Sequence, residues 1–315
     1  MNSRQKAKLW PYPRHKQFSK TLRQAAASWF EEKQYPTQPR RPYYLAQWSD
    51  WPANIILKEV ADYIAACRAD AQRRRVPFPL HKWLHHGMSS QAMIFNLIGP
   101  MITRHEYGAL ASVLKSKQVP GAADIAEALF EYEDRDVFNE DAGQPTSMDV
   151  VLVDTNGRPS IFIESKFDEQ EFGGCSIFSD GDCSGKNPIG AEDSCFIHFI
   201  GRNYWLLMAK YNISQGLQHD RQCPFAAHYQ FFREVILTLE KGGTFILLSD
   251  ERSPVFQCDS GKYKQGLMPF LTSLLPESVQ KSVISISTQE LVAALEQRPC
   301  HHDWVFAFKK KYAMA

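Results

Sequence analysis

At 315 residues, with 44% apolar and 23% charged side chains, the chain has the composition of a soluble globular protein of one large domain or two ordinary ones. It holds no run of apolar residues long enough to span a membrane, and its basic start, Met1 to Pro13, lacks the apolar stretch of an export signal. The net charge of +1 hides a segregation, because residues 1–80 carry 15 Lys/Arg against 6 Asp/Glu whereas residues 120–195 carry 4 against 18.

The first fifty residues are rich in Pro, Trp, Tyr and Arg, as in Trp10-Pro11-Tyr12-Pro13 and Pro39-Arg40-Arg41-Pro42. They predict an extended arm around one short helix, Lys20 to Lys33. Apolar residues at Ile56, Val60, Ile64 and Cys67 predict a helix over Asn54 to Arg74. Ser89-Ser90 reads as the cap of a third helix, Gln91 to Ile98, stopped by Gly99-Pro100, and a fourth covers Glu106 to Lys117. Asp124-Ile125-Ala126-Glu127 matches a capping box and predicts a short helix to about Glu133. Strands follow at Met148 to Thr155 and Pro159 to Lys166, separated by Asn156-Gly157. Residues 167–222 read as an irregular insertion rich in Gly, Cys and Asp. Beyond it come a helix (Pro224 to Lys241), strands (Thr244 to Leu248 and Ser282 to Ser287) and a helix (Thr288 to Gln297). This order predicts an α/β domain with a mixed sheet.

The hairpin carries the functional argument. If Asn156-Gly157 is a two-residue type I′ loop, Thr155 faces Arg158, Pro159 faces Asp154, and Asp149 lies directly opposite Glu164. Opposed side chains share a face, with Cβ atoms about 4.5–5.5 Å apart. Alternation sends Val150, Leu152, Ile161 and Ile163 to the other, apolar face, and Lys166 joins the two acids. Opposed carboxylates repel, and a divalent cation offsets that cost. Hard oxygen ligands suit Mg²⁺, with Mn²⁺ as the substitute. The bland alternative is an exposed Asp–Lys–Glu face with no chemistry. The tripeptide alone says little, since Glu31-Glu32-Lys33 matches the same pattern at a helix end.

Pro145-Thr146-Ser147-Met148-Asp149 followed by Glu164-Ser165-Lys166 resembles the signature of the PD-(D/E)XK nuclease superfamily, although Pro145 stands four residues before the Asp. Ser89-Ser90-Gln91-Ala92, Phe130-Glu131-Tyr132-Glu133, Glu164-Ser165-Lys166-Phe167 and Tyr229-Gln230-Phe231-Phe232-Arg233 resemble a bacterial group of restriction endonucleases within it, over roughly residues 80–250. The resemblance implies a restriction-endonuclease-like αβββαβ core in which Asp149 and Glu164 bind Mg²⁺ and Lys166 assists the attacking water. It divides the chain into a basic N-terminal arm with helices (1–80) and a nuclease domain (81–315) with its Cys-containing insertion (167–222). The implied activity is hydrolysis of DNA phosphodiester bonds in restriction or defence. A RecB-like repair or recombination nuclease, and an inactive nucleic-acid-binding protein, are the alternatives.

Around this centre, Glu131 or Glu133 offers a further acid, unless both are solvated helix carboxylates. Gln230 resembles the Gln that organises RecB-like centres, and ordinary helix-surface polarity is its other reading. Arg73, Arg74 and Arg75 are candidates for DNA backbone contacts, and Arg233 either grips a phosphate or pairs with a nearby acid. Cys175, Cys183, Cys195 and Cys223 could hold a structural Zn²⁺ or an iron–sulfur cluster, but their spacings lack paired C-x₂-C knuckles, so unligated thiols are the leading reading. With seven cysteines in all and no export signal, reduced thiols in a cytoplasm are expected. His81, His85 and His86 have helical spacing and read as structural or phosphate-contacting, and His301-His302 as surface. A homodimer is an open expectation. The chain has no P-loop, helicase motif or methylase motif, so those activities would belong to separate chains.

Overall fold

Alternating apolar residues in five segments build one mixed sheet, and amphipathic helices cover its two faces. The computed structural model describes residues 16–141, 143–169, 171–256 and 266–314, so the expected arm over Trp10-Pro11-Tyr12-Pro13 lies outside the described residues. Helix α1 (Lys16–Glu32) leads into a two-stranded ribbon, β1 (Thr37–Gln38) and β2 (Arg41–Leu45), and a 3₁₀ turn, Trp48–Asn54. Helices α2 (Lys58–Arg74), α3 (Ser90–Arg104) and α4 (Gly108–Ser116) precede strands β3 (Ile125–Asp134), β4 (Thr146–Asp154) and β5 (Pro159–Lys166). After the insertion come α5 (Phe225–Glu240), β6 (Thr244–Ser249), α6 (Leu267–Ser273), β7 (Val283–Ser287), α7 (Thr288–Glu296) and α8 (His302–Lys311). The sheet order is β3-β4-β5-β6-β7, with antiparallel pairing from β3 to β5 and parallel pairing from β5 to β7.

Strand alternation sorts the core into two layers. Val150, Leu152, Ile161 and Ile163 pack among α3 and the α8 residues Trp304 and Phe308, as expected from their period of two. Val151, Phe162, Phe245 and Leu247 face α5 (Phe231, Val235) and the insertion residues Tyr204 and Trp205. Between α3, the 3₁₀ turn and α8, Asn96 supplies the polar tie. Its Oδ1 accepts from the Ile56 amide at 2.6 Å, and its Nδ2 donates to the Asn54 carbonyl at 3.0 Å and the Tyr312 hydroxyl at 2.9 Å. A buried amide with every partner in place fixes one helix arrangement rather than several.

Three expected elements differ. The predicted helix over Asp124 to Glu133 is strand β3, because pairing along β4 and burial of Ala128 and Phe130 outweigh the weak helical preference of Ala, Glu and Leu. Helix α3 does not stop at Gly99-Pro100 but runs on to Arg104. Every residue from Gln91 to Ile102 is buried there, which offsets the roughly 3 kcal/mol a helical Pro costs. Gly99 packs against Val60 of α2, where a Cβ would come within 2.4 Å of Val60 Cγ1.

The β4–β5 turn is the third. Its loop spans Thr155 to Gly157, with the Asp154 amide donating to the Arg158 carbonyl at 2.9 Å. Gly157 takes a left-handed φ of 76°, and Asn156 does not share it, so the expected type I′ loop is not formed. Pro159 consequently faces Val153 rather than Asp154, and Ser160 is left out of the ladder as a bulge. The extra loop residue and the bulge cancel, so Leu152 faces Ile161, Val151 faces Phe162 and Val150 faces Ile163, in the register the sequence predicts.

Candidate active site

The β4–β5 ladder ends at Val150–Ile163, one step short of the acids, so Asp149 and Glu164 do not form the expected ladder pair. Instead the Asp149 carboxylate accepts the Ser165 amide proton at 2.8 Å, doing for β5 what a strand carbonyl would otherwise do. Strand β5 continues beside β6 as far as Lys166, facing Ser249, and the next residue, Phe167, is wedged edge-on between Phe18 of α1 and Tyr312. That anchoring fixes where Glu164 and Lys166 emerge.

Glu164 and Lys166 are almost fully buried, with Lys166 Nζ 2.7 Å from Glu164 Oε1. Gln230 of α5 closes the triangle: its Nε2 donates to Glu164 Oε1 at 2.7 Å and its Oε1 accepts from Lys166 Nζ at 2.9 Å. The Phe172 ring lies 4.9 Å from the ammonium. Glu131 stands on β3 between residues paired with Val150 and Met148, beside Asp149, and holds a left-handed φ of 54° that strand residues avoid. Its Oε1 accepts from Gln91 Nε2 at 2.6 Å, and Gln91 is fixed in turn by the His81 amide at 2.8 Å and the Pro79 carbonyl at 2.9 Å. Asp149, Glu131, Glu164, Lys166 and Gln230 line a single cleft of about 560 Å³, whose other wall includes Arg23, His81 and the start of α3 at Ser89-Ser90.

The electrostatics follow from this crowding. Burial, then the Glu164 and Glu131 carboxylates, raise the Asp149 carboxyl well above the usual range, against the opposing Lys166 charge and Ser165 amide. Glu131 is pushed up to about 8, by burial first, with Gln91 opposing and Glu164 and Glu133 adding. Burial works against the Lys166 charge, but Glu164, Glu234, Glu169 and Asp149 outweigh it and hold the ammonium protonated. Glu234, one helical turn beyond Gln230, is also raised, mainly by burial and then by Glu164. Across the cleft the balance reverses: His86 is pushed down to about 4 by burial, with the charges of His85, Arg23 and Arg41 adding.

A sequence-family profile described as "Restriction Endonuclease associating with ARP" matches residues 23–313. The chain belongs to this family. Comparison with curated proteins and with solved structures gave no match.

In this member of the restriction-endonuclease family, the other candidate residues are distributed as follows. Glu133 lies on the same strand as Glu131, facing Ser147. Arg233 is held away from the cleft acids. Its Nε donates to Thr146 Oγ1 at 2.9 Å, its Nη2 meets Glu140 Oε1 at 2.6 Å, and its guanidinium sits 4.6 Å from the Tyr229 ring. Arg73 and Arg74 pair with Asp70 at 3.0 and 3.4 Å on the exposed end of α2, and Arg75 caps that helix; none of the three lines the cleft. The His81–His86 segment is a run of turns rather than a helix, with His86 bridged to Tyr44 of β2. His301 is fully buried, contrary to the surface reading, because its ring meets Glu106 Oε2 at 3.0 Å and accepts from Trp304 Nε1 at 3.2 Å. His302 is exposed. Among the described residues no helix is long and apolar enough to cross a membrane.

Sequence reasoning gave no role to Gln91, Arg23 or Glu234. Gln91 had a usable signal, since a polar residue inside an otherwise apolar helix needs a partner. Arg23 had none, because only the packing of α1 against Phe167 brings it to the cleft.

Proposed function

We propose that the chain is a Mg²⁺-dependent DNA endonuclease of the PD-(D/E)XK class, hydrolysing phosphodiester bonds in restriction or defence. The observation that carries this reading is the convergence of Asp149, Glu164 and Lys166 on one cleft in a chain of a restriction-endonuclease family. The succession α4, β3, β4, β5, α5, β6 is also the αβββαβ order of that class.

The acids have the chemistry a hard divalent ion takes, and because among the described residues Asp149, Glu164 and Glu131 do not bring three ligand atoms within 4.8 Å of one another, an ion would draw them together. Asp149, Glu164 and Glu131 present carboxylate oxygens, and those of Asp149 and Glu131 are disfavoured as charges until a cation offsets burial and mutual repulsion. Mg²⁺, or Mn²⁺ in its place, would polarise a phosphate oxygen and make a bound water more acidic. Asp149 and Glu164 orient that oxygen-ligand set, and the Ser165 amide fixes the Asp149 carboxylate. In the metal-free chain burial opposes the Lys166 charge, but Glu164, with Glu234, Glu169 and Asp149, outweighs it and keeps Lys166 an ammonium, a form that can donate a hydrogen bond to charge developing on the phosphate. Gln230 keeps that ammonium on Glu164 and the cleft. Arg23 and the positive end of α3 at Ser89-Ser90 offer the opposite wall to the DNA phosphates, which the acids alone would repel.

Plasmid cleavage with Mg²⁺, with EDTA, and with the variants Asp149→Ala and Lys166→Ala tests this. Cutting should vanish in EDTA and fall about 10²–10³-fold or more in either variant, with circular dichroism reporting the fold. Normal cutting by either purified variant would sink the assignment. Cutting of linear but not closed-circular DNA would indicate an end-processing repair nuclease, and Mg²⁺-independent binding without cutting an inactive binding protein.

A further inference from the structure

Away from the cleft, four cysteines from separate stretches of the insertion meet. Cys175, Cys183, Cys195 and Cys223 together line one cavity of about 20 Å³, walled otherwise by apolar groups such as Phe178, Ile197 and Phe225. None of the four is in a disulfide. The backbone draws their segments together: the Cys175 amide donates to the Phe225 carbonyl and the Cys223 amide to the Gly185 carbonyl, both at 2.9 Å.

Three of the four receive backbone amides. Burial raises the thiols of Cys175 and Cys223, Cys223 to about 12, and backbone amides two or three residues further on oppose it, Phe178 and Ile177 toward Cys175 and Phe225 and Ala226 toward Cys223; the Gly185 amide likewise donates to Cys183 Sγ at 3.4 Å. A neutral thiol is a weak acceptor, whereas amide donors strengthen markedly toward an anionic sulfur. Gly185 must be glycine for its part, since its φ is 70° and a Cβ would strike the Phe178 ring at 2.5 Å. The insertion, expected to be irregular, holds short helices, Ser176–Ser179, Phe196–Phe199, Tyr204–Lys210 and Ile213–Leu217, each too short to be stable on its own.

We propose that Cys175, Cys183, Cys195 and Cys223 are the four ligands of one thiolate metal centre that fastens the two flanks of the insertion. A metal bound only to the folded arrangement adds its binding energy to folding and to the packing the insertion already makes. The flanks matter to the cleft. Cys175 follows Phe172, which covers Lys166, and Cys223 immediately precedes Pro224, the cap of α5, which carries Gln230. One zinc ion, with sulfurs at 2.3 Å, would draw the four to about 3.8 Å from one another. Among the described residues no three of these sulfurs lie mutually within 4.8 Å, so a single zinc ion would have to draw them inward, and an iron–sulfur cluster on the same four cysteines is the other thiolate centre they could hold.

The test is metal and acid-labile sulfide analysis of the full chain purified without air, together with its visible spectrum and Cys→Ser variants at each of the four positions. Iron with sulfide marks the cluster and stoichiometric zinc without sulfide the single ion; in both, every one of the four variants should lose the metal while Cys67→Ser retains it. X-ray absorption of the unsubstituted protein keeps the test open should a variant fail to fold, because it reads an all-sulfur ligand shell directly. A shell containing nitrogen or oxygen ligands, metal content unaffected by the four substitutions, or a metal-free folded protein would overturn the proposal. None of these readouts depends on DNA cleavage.

Discussion

Glu164 Oε1 accepts from both Lys166 and Gln230, while Gln230 takes a further Lys166 proton on its own oxygen, so an amide that both donates and accepts is required at position 230. A carboxylate there would set two acceptors against each other. The neighbouring acids carry a pH consequence. Glu131 is raised from 4.5 to about 8, so between those values the unfolded chain has released a proton that the folded chain keeps. Metal-free stability should therefore fall as pH rises through that interval, with Asp149 acting in the same direction. On the proposed reading a divalent cation would replace the retained protons, so the gain in unfolding temperature on adding Mg²⁺ should widen from about pH 5 to about pH 8. Calorimetric scans in EDTA and in Mg²⁺ check this, and stability in EDTA that rises across the interval would contradict it. At this scale Asp149, Glu164 and Lys166 were legible because three types sit on adjoining strands at a fixed spacing. Gln91 and Arg23 were not, because helices far apart in sequence deliver them.

The elements that frame these residues were legible where burial and local pattern agree. Helix α7 begins as its sequence suggests, with Ser287 and Glu290 forming a reciprocal capping box at 3.0 and 2.7 Å. Strand β3 and the full length of α3 were not, because each owes its form to tertiary contact that local propensity opposes. The β4–β5 register was right although its turn was wrong, since two buried layers, not the loop, decide which residues face each other. Deleting Ser160 should therefore remove the bulge while leaving the rungs nearest the acids in place, and cleavage should persist. One alanine inserted after Ile163 should turn Glu164 away from Asp149 and abolish both cleavage and Mg²⁺ stabilisation. Equal activity of these two variants would show that the turn, not the layers, sets the register.

Across the molecule, the basic and acidic halves of the sequence come together at one place. Arg23 from the basic N-terminal stretch faces Asp149, Glu131 and Glu164 from the acidic one, and the cleft is their boundary. The charge segregation was visible in the sequence; its being two walls of one groove was not, because that depends on Phe18 and Tyr312 gripping Phe167 from α1 and the end of α8. The insertion is likewise part of the frame, since Tyr204 and Trp205 are buried against the α5 face of the sheet. It also leaves and returns at one point, where Cys175 and Phe225 are bonded. A chain that closes on itself in this way can be severed at its outer edge without separating. Fragments made by dividing it between the exposed Gly181 and Asp182 should find each other again through β5 and β6, one bringing Asp149, Glu164 and Lys166 and the other Gln230. Neither half would cut alone, so DNA cleavage on mixing would serve as a reporter that two separately made polypeptides had met.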